Sequence, residues 1–284
     1  MRGPKRDHRR PAGPSRGERI RPAPARRPHP AESGAETAIL YGWHTVTAAL
    51  ANPARRFRRL LATENAARRL ADEATPLWVT PEIVRPDVIA RMLGPDAVHQ
   101  GLLAEADPLP SPHIEELAPE GLILALDQIT DPHNVGAILR SAAAFAVKAV
   151  VITARHSPEA TGVLAKAASG AIEHVPLVTA PNLARGLASL KERGCLLVGL
   201  DSSGDTELAA APLQAPLVLV LGAEGKGLRQ LTRASCDVVA RLDLPGAIKS
   251  LNVSNAAALA LYLTDARLRE SQRCAPTSPP NSAP

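Results

Sequence analysis

Residues 127–145 read DQITDPHNVGAILRSAAAF and directly follow the apolar run LILAL at residues 122–126. The apolar run predicts a buried strand, and the alanine-rich stretch predicts a helix. Asn134 can cap this helix, Gly136 allows another segment or a ligand to approach closely, and Arg140 can reach a phosphate. Taken alone, the stretch is also compatible with an ordinary capped helix that carries a surface arginine.

Strands and helices alternate from residue 122 onward, which predicts an α/β domain over residues 121–270. Its predicted strands are continuous apolar runs, as is typical of strands buried on both faces of a parallel sheet. They are LILALD, AVVIT, VPLV, CLLVGL, PLVLVLG and DVVARLDL. The predicted helices cover residues 134–146, 158–170, 181–193, 228–235 and 252–270.

A smaller α/β unit is predicted over residues 38–107, with four strands, three helices and Asn65 as a helix cap. Residues 108–120 are rich in proline and acidic side chains and are predicted to be a linker. Residues 1–37 and 271–284 are predicted to be disordered tails, because they contain few large apolar residues.

The positive charge of the chain is concentrated at its start. Residues 1–36 contain ten Lys or Arg and four Asp or Glu, a net charge of +6, whereas the whole chain carries +5. Such an arm either contacts nucleic-acid phosphates or serves as a solubilising extension. The three cysteines have no metal-binding spacing. We find neither a secretory signal nor a transmembrane run, so we expect a cytoplasmic protein without a metal or a membrane partner.

A glycine loop follows another apolar strand, in LVLGAEGKGLRQL at residues 219–231. Loops of this kind expose backbone N–H groups and admit a cofactor. The order of Gly222, Gly225 and Gly227 is not that of dinucleotide folds, and no Ser or Thr follows the lysine as in a phosphate loop. Glu224 would repel a triphosphate. These departures argue against a nucleotide-binding protein such as a small dehydrogenase.

A third polar cluster lies in LDLPGAIKSLNVSNAAALALYL, residues 242–263, at the start of an apolar helix. One helix needs one cap, so several neutral polar groups indicate a ligand with hydroxyls or amides, or a polar interface. The four residues are Ser250, Asn252, Ser254 and Asn255.

Together the three stretches resemble the three motifs of the SpoU/TrmH family of RNA ribose 2′-O-methyltransferases, in the SPOUT superfamily. The first resembles D-P-x-N-x-G-x-x-x-R, the second G-x-E-G-x-G and the third S-L-N-V-S. YGWHTVTAAL and HQGLLA in the smaller unit are similar to the substrate-binding domain of the larger members, which include the 23S rRNA guanosine methyltransferases. LDLPG at residues 242–246 departs from the Ile-Pro-Met-x-Gly run of the family, but its apolar ends and its glycine remain.

The resemblance implies an α/β fold: a knotted (trefoil) parallel-sheet methyltransferase domain preceded by a small α/β substrate-binding domain. It implies a homodimer that binds S-adenosylmethionine and methylates RNA, with ribosomal RNA favoured. The implied cofactor-binding residues are Gly222, Leu242 and Leu251. The implied catalytic residues are Arg140, which contacts the RNA phosphate and assists deprotonation, and Asn134, Glu224, Ser250 and Asn252, which orient the reactants and shape the pocket.

A tRNA methyltransferase of the same family and a non-catalytic RNA-binding protein on this fold are the alternatives. The separate smaller unit favours ribosomal RNA, and the intact motif residues favour an enzyme. A set of arginines in the smaller unit predicts a basic face for RNA. The set consists of Arg55, Arg56, Arg58, Arg59, Arg68 and Arg69.

Overall fold

The computed structural model describes residues 37–154 and 162–274. The smaller unit forms a four-stranded mixed sheet in the order β1-β4-β2-β3 with three helices. Its elements are β1 (Ala38–Tyr41), α1 (Trp43–Ala51), β2 (Phe57–Ala62), α2 (Glu64–Asp72), β3 (Glu82–Ile83), α3 (Pro86–Leu93) and β4 (Leu102–Ala106).

The larger unit is a seven-stranded sheet in the order β7-β6-β5-β10-β8-β11-β9, and its strand pairs are parallel. The α/β class and the parallel sheet are therefore confirmed. Its strands are β5 (Leu122–Asp127), β6 (Ala149–Thr153), β7 (Leu177–Ala180), β8 (Leu196–Leu200), β9 (Thr206–Glu207), β10 (Leu217–Gly222) and β11 (Val238–Arg241). Its helices are α4 (Pro132–Ala144), α5 (Gly162–Ala168), α6 (Leu183–Glu192), α7 (Gln230–Ser235) and α8 (Val253–Cys274).

The central strand β10 shows why the apolar runs are continuous. Leu219 and Leu221 point into a core shared with α4 and α8, whereas Val218 and Val220 point into a second core shared with α6. Successive side chains of a strand face opposite sides of the sheet, so a strand covered on both sides needs apolar residues throughout.

Several sequence predictions need correction. Thr63 caps α2 by accepting a hydrogen bond from the backbone N–H of Ala66, whereas Asn65 lies inside the helix. Strand β9 was not predicted, and α8 continues beyond the predicted end at residue 270. Residues 271–274, predicted as part of a disordered tail, thus form the end of α8. Residues 1–36 and 275–284 of the predicted tails lie outside the described residues, as does the start of the helix predicted over residues 158–170.

The predicted linker is packed against the larger unit. It contains a short 3₁₀ helix, Ile114–Glu116, in which Ile114 is buried. The guanidinium of Arg193 donates to the backbone carbonyl oxygens of Ile114 and Leu117 at 3.0 and 2.7 Å. The connection is thus ordered by side-chain packing and hydrogen bonds.

A buried ion pair joins the two units. The Arg55 Nη2 atom lies 2.6 Å from the Glu173 Oε1 atom, and their side chains are 3% and 1% exposed. Asn52 donates to Glu173 Oε2 at 2.8 Å, and Arg55 Nη1 donates to the Asp107 carbonyl oxygen at 2.8 Å. Arg55 therefore belongs to this joint and not to the predicted basic face.

Candidate active site

The candidate site lies where the central strands end. Strands β5 and β10 are parallel neighbours, and Asp127 at the end of β5 pairs with Gly222 at the end of β10. The loops that follow the two strands therefore leave the sheet side by side, at the carboxyl edge where ligands bind in open α/β sheets.

The structure joins one predicted residue from each motif. Asn252 Nδ2 donates to Glu224 Oε1 at 2.8 Å and to Asn134 Oδ1 at 3.0 Å. Asn134 Nδ2 lies 3.4 Å from the same Glu224 oxygen, and the backbone N–H of Val253 donates to it at 2.9 Å. We call Asn134, Glu224 and Asn252 the motif cluster. Its carboxylate also stabilises the N-terminus of α8, where the helix dipole favours negative charge.

Helix α4 places Asn134 in this cluster because another residue caps the helix. The Asp131 side chain accepts a hydrogen bond from the His133 backbone N–H at 2.9 Å, so the prediction that Asn134 is the cap is wrong. A Cβ on Gly136 would overlap Ala167 of α5. The close approach predicted at this glycine is therefore made by a neighbouring helix.

The glycine loop after β10 folds back on itself. A Cβ on Gly222 would overlap the backbone of Gly227, whose N–H donates to the Ala223 carbonyl oxygen at 2.9 Å. Gly225 has a φ of 72° and open space around its Cα. Two glycines thus close the loop, and the middle one permits the left-handed turn at its tip.

Two carboxylates that the sequence analysis missed hold the far end of this loop. Asp127 is buried and accepts hydrogen bonds from the backbone N–H and the Nε of Arg229 at 3.0 and 2.6 Å. Asp201 follows β8 and accepts from the Leu228 backbone N–H at 3.2 Å. The available signal was an acidic residue at the end of an apolar run, in LILALD and in CLLVGLD.

The Asp201 carboxyl is held in its charged form. Burial acts to raise its pKa, but hydrogen bonds from Ser203 and Leu228 and the nearby charge of Arg233 act in the opposite direction. The pKa consequently lies below its usual value. A charged carboxylate is the stronger acceptor for the backbone N–H of the glycine loop.

A cleft of about 380 Å³ opens beside the loop, and the three predicted cofactor-binding residues, Gly222, Leu242 and Leu251, all line it. Its remaining walls include Ser202 and Leu244. Its volume falls in the range of small-molecule sites, and its walls combine apolar side chains with hydroxyls, loop backbone and a few charged side chains. These features fit a nucleoside-type cofactor such as S-adenosylmethionine.

The LDLPG segment keeps its apolar side chains toward this cleft. Leu242 and Leu244 line the cleft, whereas Asp243 does not. The Asp243 carboxylate instead accepts from Arg241 Nε at 2.8 Å. The acidic residue in this segment is therefore accommodated outside the cofactor cleft.

A second cleft, of about 430 Å³, adjoins the first across the motif cluster. Asn134 and Glu224 line it together with residues of the loop after β5. Ser250 is exposed and lines the first cleft. Arg140 is also exposed, but it lines neither cleft, and no described residue pairs with its side chain. Three of the five predicted catalytic residues, Asn134, Glu224 and Ser250, thus line the clefts. Asn252 is hydrogen-bonded to two of them without lining either cleft, and Arg140 lies apart.

A parallel sheet whose carboxyl edge gathers a glycine loop, two adjoining clefts and these polar motifs defines the class, which is an α/β protein with a site for a nucleoside-type ligand. The profile of the SpoU rRNA Methylase family matches residues 121–262, and that of the RNA 2′-O ribose methyltransferase substrate-binding family matches residues 39–112. The chain belongs to the SpoU rRNA methylase family. This confirms the resemblance and the prediction of an S-adenosylmethionine-dependent RNA methyltransferase.

Known proteins resemble the chain over most of its length. The 23S rRNA (guanosine-2′-O-)-methyltransferase RlmB of Pseudomonas aeruginosa is 40% identical over 78% of this chain and 94% of its own. A TrmH-family structure from Porphyromonas gingivalis is 28% identical, with a TM-score of 0.70 over 81% of this chain and 90% of its own. The methyltransferase AviRb of Streptomyces viridochromogenes, in complex with AdoMet, shares the fold at 22% identity, with a TM-score of 0.69 over 85% of this chain and 92% of its own.

Proposed function

We propose that this protein transfers a methyl group from S-adenosylmethionine to the ribose 2′-hydroxyl of a guanosine in 23S ribosomal RNA. The motif cluster is the observation that carries the proposal, because it joins all three motifs at the boundary between the two clefts. The similarity to the guanosine methyltransferase of P. aeruginosa supports the choice of substrate.

The first cleft is assigned to the cofactor. Backbone groups around Gly222, Leu242 and Leu251 would hold it, and the apolar walls would cover its nucleoside part. The cofactor supplies a methyl group on a sulfonium, which is already an activated leaving group. Asp127 and Asp201 would contribute indirectly, because their hydrogen bonds hold the glycine loop beside the cleft in place before the cofactor binds.

The second cleft is assigned to the methyl-accepting ribose. The hydrogen bonds that Glu224 receives from Asn134, Asn252 and Val253 all go to Oε1. Glu224 Oε2 accepts no hydrogen bond from a described residue and is free to accept one from a ribose hydroxyl. Ser250 would add a hydroxyl on the cofactor side. Positioning of this kind supplies much of the rate of a group transfer.

Arg140 is assigned to the RNA phosphate next to the reacting ribose. A guanidinium stays protonated in proteins, so it would favour loss of the hydroxyl proton through its charge and not as a base. Its exposure and lack of a described ion-pair partner leave that charge available to an RNA chain.

The remaining family expectations form part of the proposal: a trefoil knot in the larger unit, a homodimer and a cytoplasmic location. Helix α8 exposes Leu259 and Tyr262 at 47% and 61%, and exposed large apolar side chains on one helix fit a subunit contact. No helix among residues 37–154 and 162–274 is long and apolar enough to cross a membrane. The unit at 38–107, joined through 108–120 to the catalytic unit at 121–270, is assigned to RNA selection.

Transfer of labelled methyl from S-adenosylmethionine tests this proposal, with unmodified 23S rRNA and unmodified tRNA as parallel substrates. We expect label in 23S rRNA, mapped to a guanosine 2′-O-methyl, and background label with Arg140→Ala. Label only in tRNA would overturn the substrate. Absence of label in both, with bound cofactor shown by calorimetry, would favour a binding protein.

A further inference from the structure

Two short stretches of the smaller unit, YGWH at residues 41–44 and HQG at residues 99–101, have no role in the chemistry proposed above. The structure brings them together: the Trp43 backbone N–H donates to Gln100 Oε1 at 2.9 Å, and the Gly42 N–H donates to the Leu102 carbonyl oxygen at 3.2 Å. With helix α2 they enclose a pocket of about 320 Å³. The lining residues used below are Trp43, Asn65, Arg69, His99 and Gln100.

A flat cation forms one wall of this pocket. The guanidinium carbon of Arg69 lies 3.8 Å from the centroid of the Trp43 ring, and Arg69 Nε donates to Glu73 at 2.8 Å. Trp43 is 4% exposed, whereas the Arg69 side chain is 55% exposed. One face of the guanidinium therefore covers the indole, and the other is open. Its plane is fixed in advance, which lowers the entropic cost of stacking a ligand on it.

Hydrogen-bonding groups surround this open face. The His99 Nδ1 accepts from the Gly101 N–H at 3.1 Å, so the neutral ring carries its hydrogen on Nε2. Burial and the charge of Lys166 lower the pKa of His99, which keeps the ring neutral at pH 7. Gln100 Oε1 also accepts from Lys166 Nζ at 3.2 Å, which leaves the Gln100 amide hydrogens as donors. The Asn65 amide is exposed and offers both a donor and an acceptor.

Arg69 is ion-paired like its neighbours, but its partner Glu73 lies outside the pocket walls. Arg58 and Arg59 lie 2.6 Å from Asp107 and Glu82, so much of the predicted basic face is neutralised by ion pairs. The pocket is lined by no carboxylate among the described residues. A ligand that stacks and forms hydrogen bonds, and that carries negative charge on its backbone, fits these walls.

We propose that this pocket binds one unpaired nucleobase of the RNA substrate, stacked on the open face of Arg69 and hydrogen-bonded to Asn65 and Gln100. This inference rests on the proposed function. Proteins recognise RNA sequence mainly through unpaired bases, which stack on aromatic rings or guanidinium planes and present their edges to side-chain amides. The smaller unit would then select RNA by stacking more than by its net charge.

Steady-state methylation of unmodified 23S rRNA by Arg69→Ala, Arg69→Lys and Arg68→Ala separates stacking from charge. Arg68 is the matched control: it lies on the same helix, is 65% exposed and does not line the pocket. We expect both Arg69 variants to raise KM for RNA about tenfold, the order of one lost base stack, and Arg68→Ala to change it less than twofold. Equal effects of Arg68→Ala and Arg69→Ala, or a normal KM for Arg69→Lys, would overturn the proposal.

Direct binding makes this test independent of catalysis. The chain has two tryptophans, and Trp78→Phe would leave Trp43 as the single reporter beneath Arg69. Addition of unmodified 23S rRNA should change the emission of Trp43, and Arg69→Lys should shift the titration to about tenfold higher RNA concentration. Unchanged emission on demonstrable RNA binding would place the RNA elsewhere. If the wild-type chain transfers methyl groups but the Arg69 variants bind RNA normally, only the proposed base-binding role of the pocket is refuted. If the wild-type chain transfers no methyl group, the proposed function itself is refuted.

Discussion

Glu224 and Asn252 are 28 residues apart in the chain and meet through a 2.8 Å hydrogen bond from the Asn252 amide to the Glu224 carboxylate. The same oxygen receives the first backbone N–H of α8. One side chain of the glycine loop thus connects the start of this helix to the boundary between the two clefts. Catalytic positioning and helix stability are therefore coupled at Glu224.

Replacement of Glu224 should impair both properties. Glu224→Ala removes the acceptor for α8 and should lower the free energy of unfolding by about 1–2 kcal/mol, the order of a lost cap. Methyl transfer should fall by about 100-fold or more, because the motif cluster loses its centre. Glu224→Gln keeps an oxygen acceptor and should unfold closer to wild type than Glu224→Ala.

Thermal unfolding and single-turnover transfer measure the two effects of the Glu224 variants. Glu120, an exposed residue paired with Lys148 at 3.4 Å, offers the control Glu120→Ala, for which both values should remain near wild type. Normal transfer by Glu224→Ala would remove this residue from the proposed site.

Replacement of Arg140, in contrast to that of Glu224, should impair activity without lowering stability. Its side chain is exposed and pairs with no described residue, so Arg140→Ala should change the free energy of unfolding by less than about 0.5 kcal/mol. We expect methyl transfer to fall by about 100-fold or more, with cofactor affinity nearly intact when measured by calorimetry. The matched control is Arg185→Ala, an exposed arginine on α6. Turnover by Arg140→Ala that equals this control would refute the assignment.

Asp201 should act through the cofactor loop. Asp201→Asn weakens the acceptor for the Leu228 N–H and should raise the dissociation constant for S-adenosylmethionine about tenfold, with Asp205→Asn as an exposed control. Because the folded state lowers the pKa of Asp201, its stabilisation is present above the unfolded pKa and is lost as the pH falls through the folded value. The stability difference between wild type and Asp201→Asn should therefore shrink in acid. An unchanged cofactor affinity would show that the loop does not need this anchor.

The ion pair between Arg55 and Glu173 should contribute far more than an exposed pair. Arg55→Met leaves a buried carboxylate without its cation, which should cost about 3–5 kcal/mol in denaturant unfolding. Arg58→Ala, at a pair whose side chains are 42% and 40% exposed, should cost less than about 1 kcal/mol. Combining Arg55→Met with Glu173→Gln should cost less than the sum of the single changes. Additive costs would show that the two side chains do not interact.

The sheet, and the edge at which the three motifs meet, can be predicted from the sequence because strand burial and strand direction determine the pattern of apolar residues and loops. Continuous apolar runs indicate strands covered on both faces, and parallel strands deliver their following loops to one edge. The family resemblance implied that Asn134, Glu224 and Asn252 share one site, and the strand pattern agrees with it, since each lies just beyond or near such an edge.

Choices between neighbouring polar residues could not be predicted in the same way. Asp131 and not Asn134 caps α4, and Thr63 and not Asn65 caps α2, because the cap is decided by which residue has extended backbone angles at the helix start. The predicted basic face lost part of its charge for a different reason. Arg55, Arg58 and Arg59 meet their carboxylates through tertiary contacts, and no local pattern marks such distant partners.

The ion pair between Arg55 and Glu173 has a geometric consequence for substrate choice. It lies within the one compact unit that contains both the pocket at Arg69 and the clefts around Glu224, so it helps to define the span between them. An RNA that occupies both places must bridge this span, so the protein would select RNA by the distance between the bound base and the acceptor ribose. Lengthening or shortening the intervening RNA would misplace the acceptor ribose even where every contacted nucleotide is unchanged.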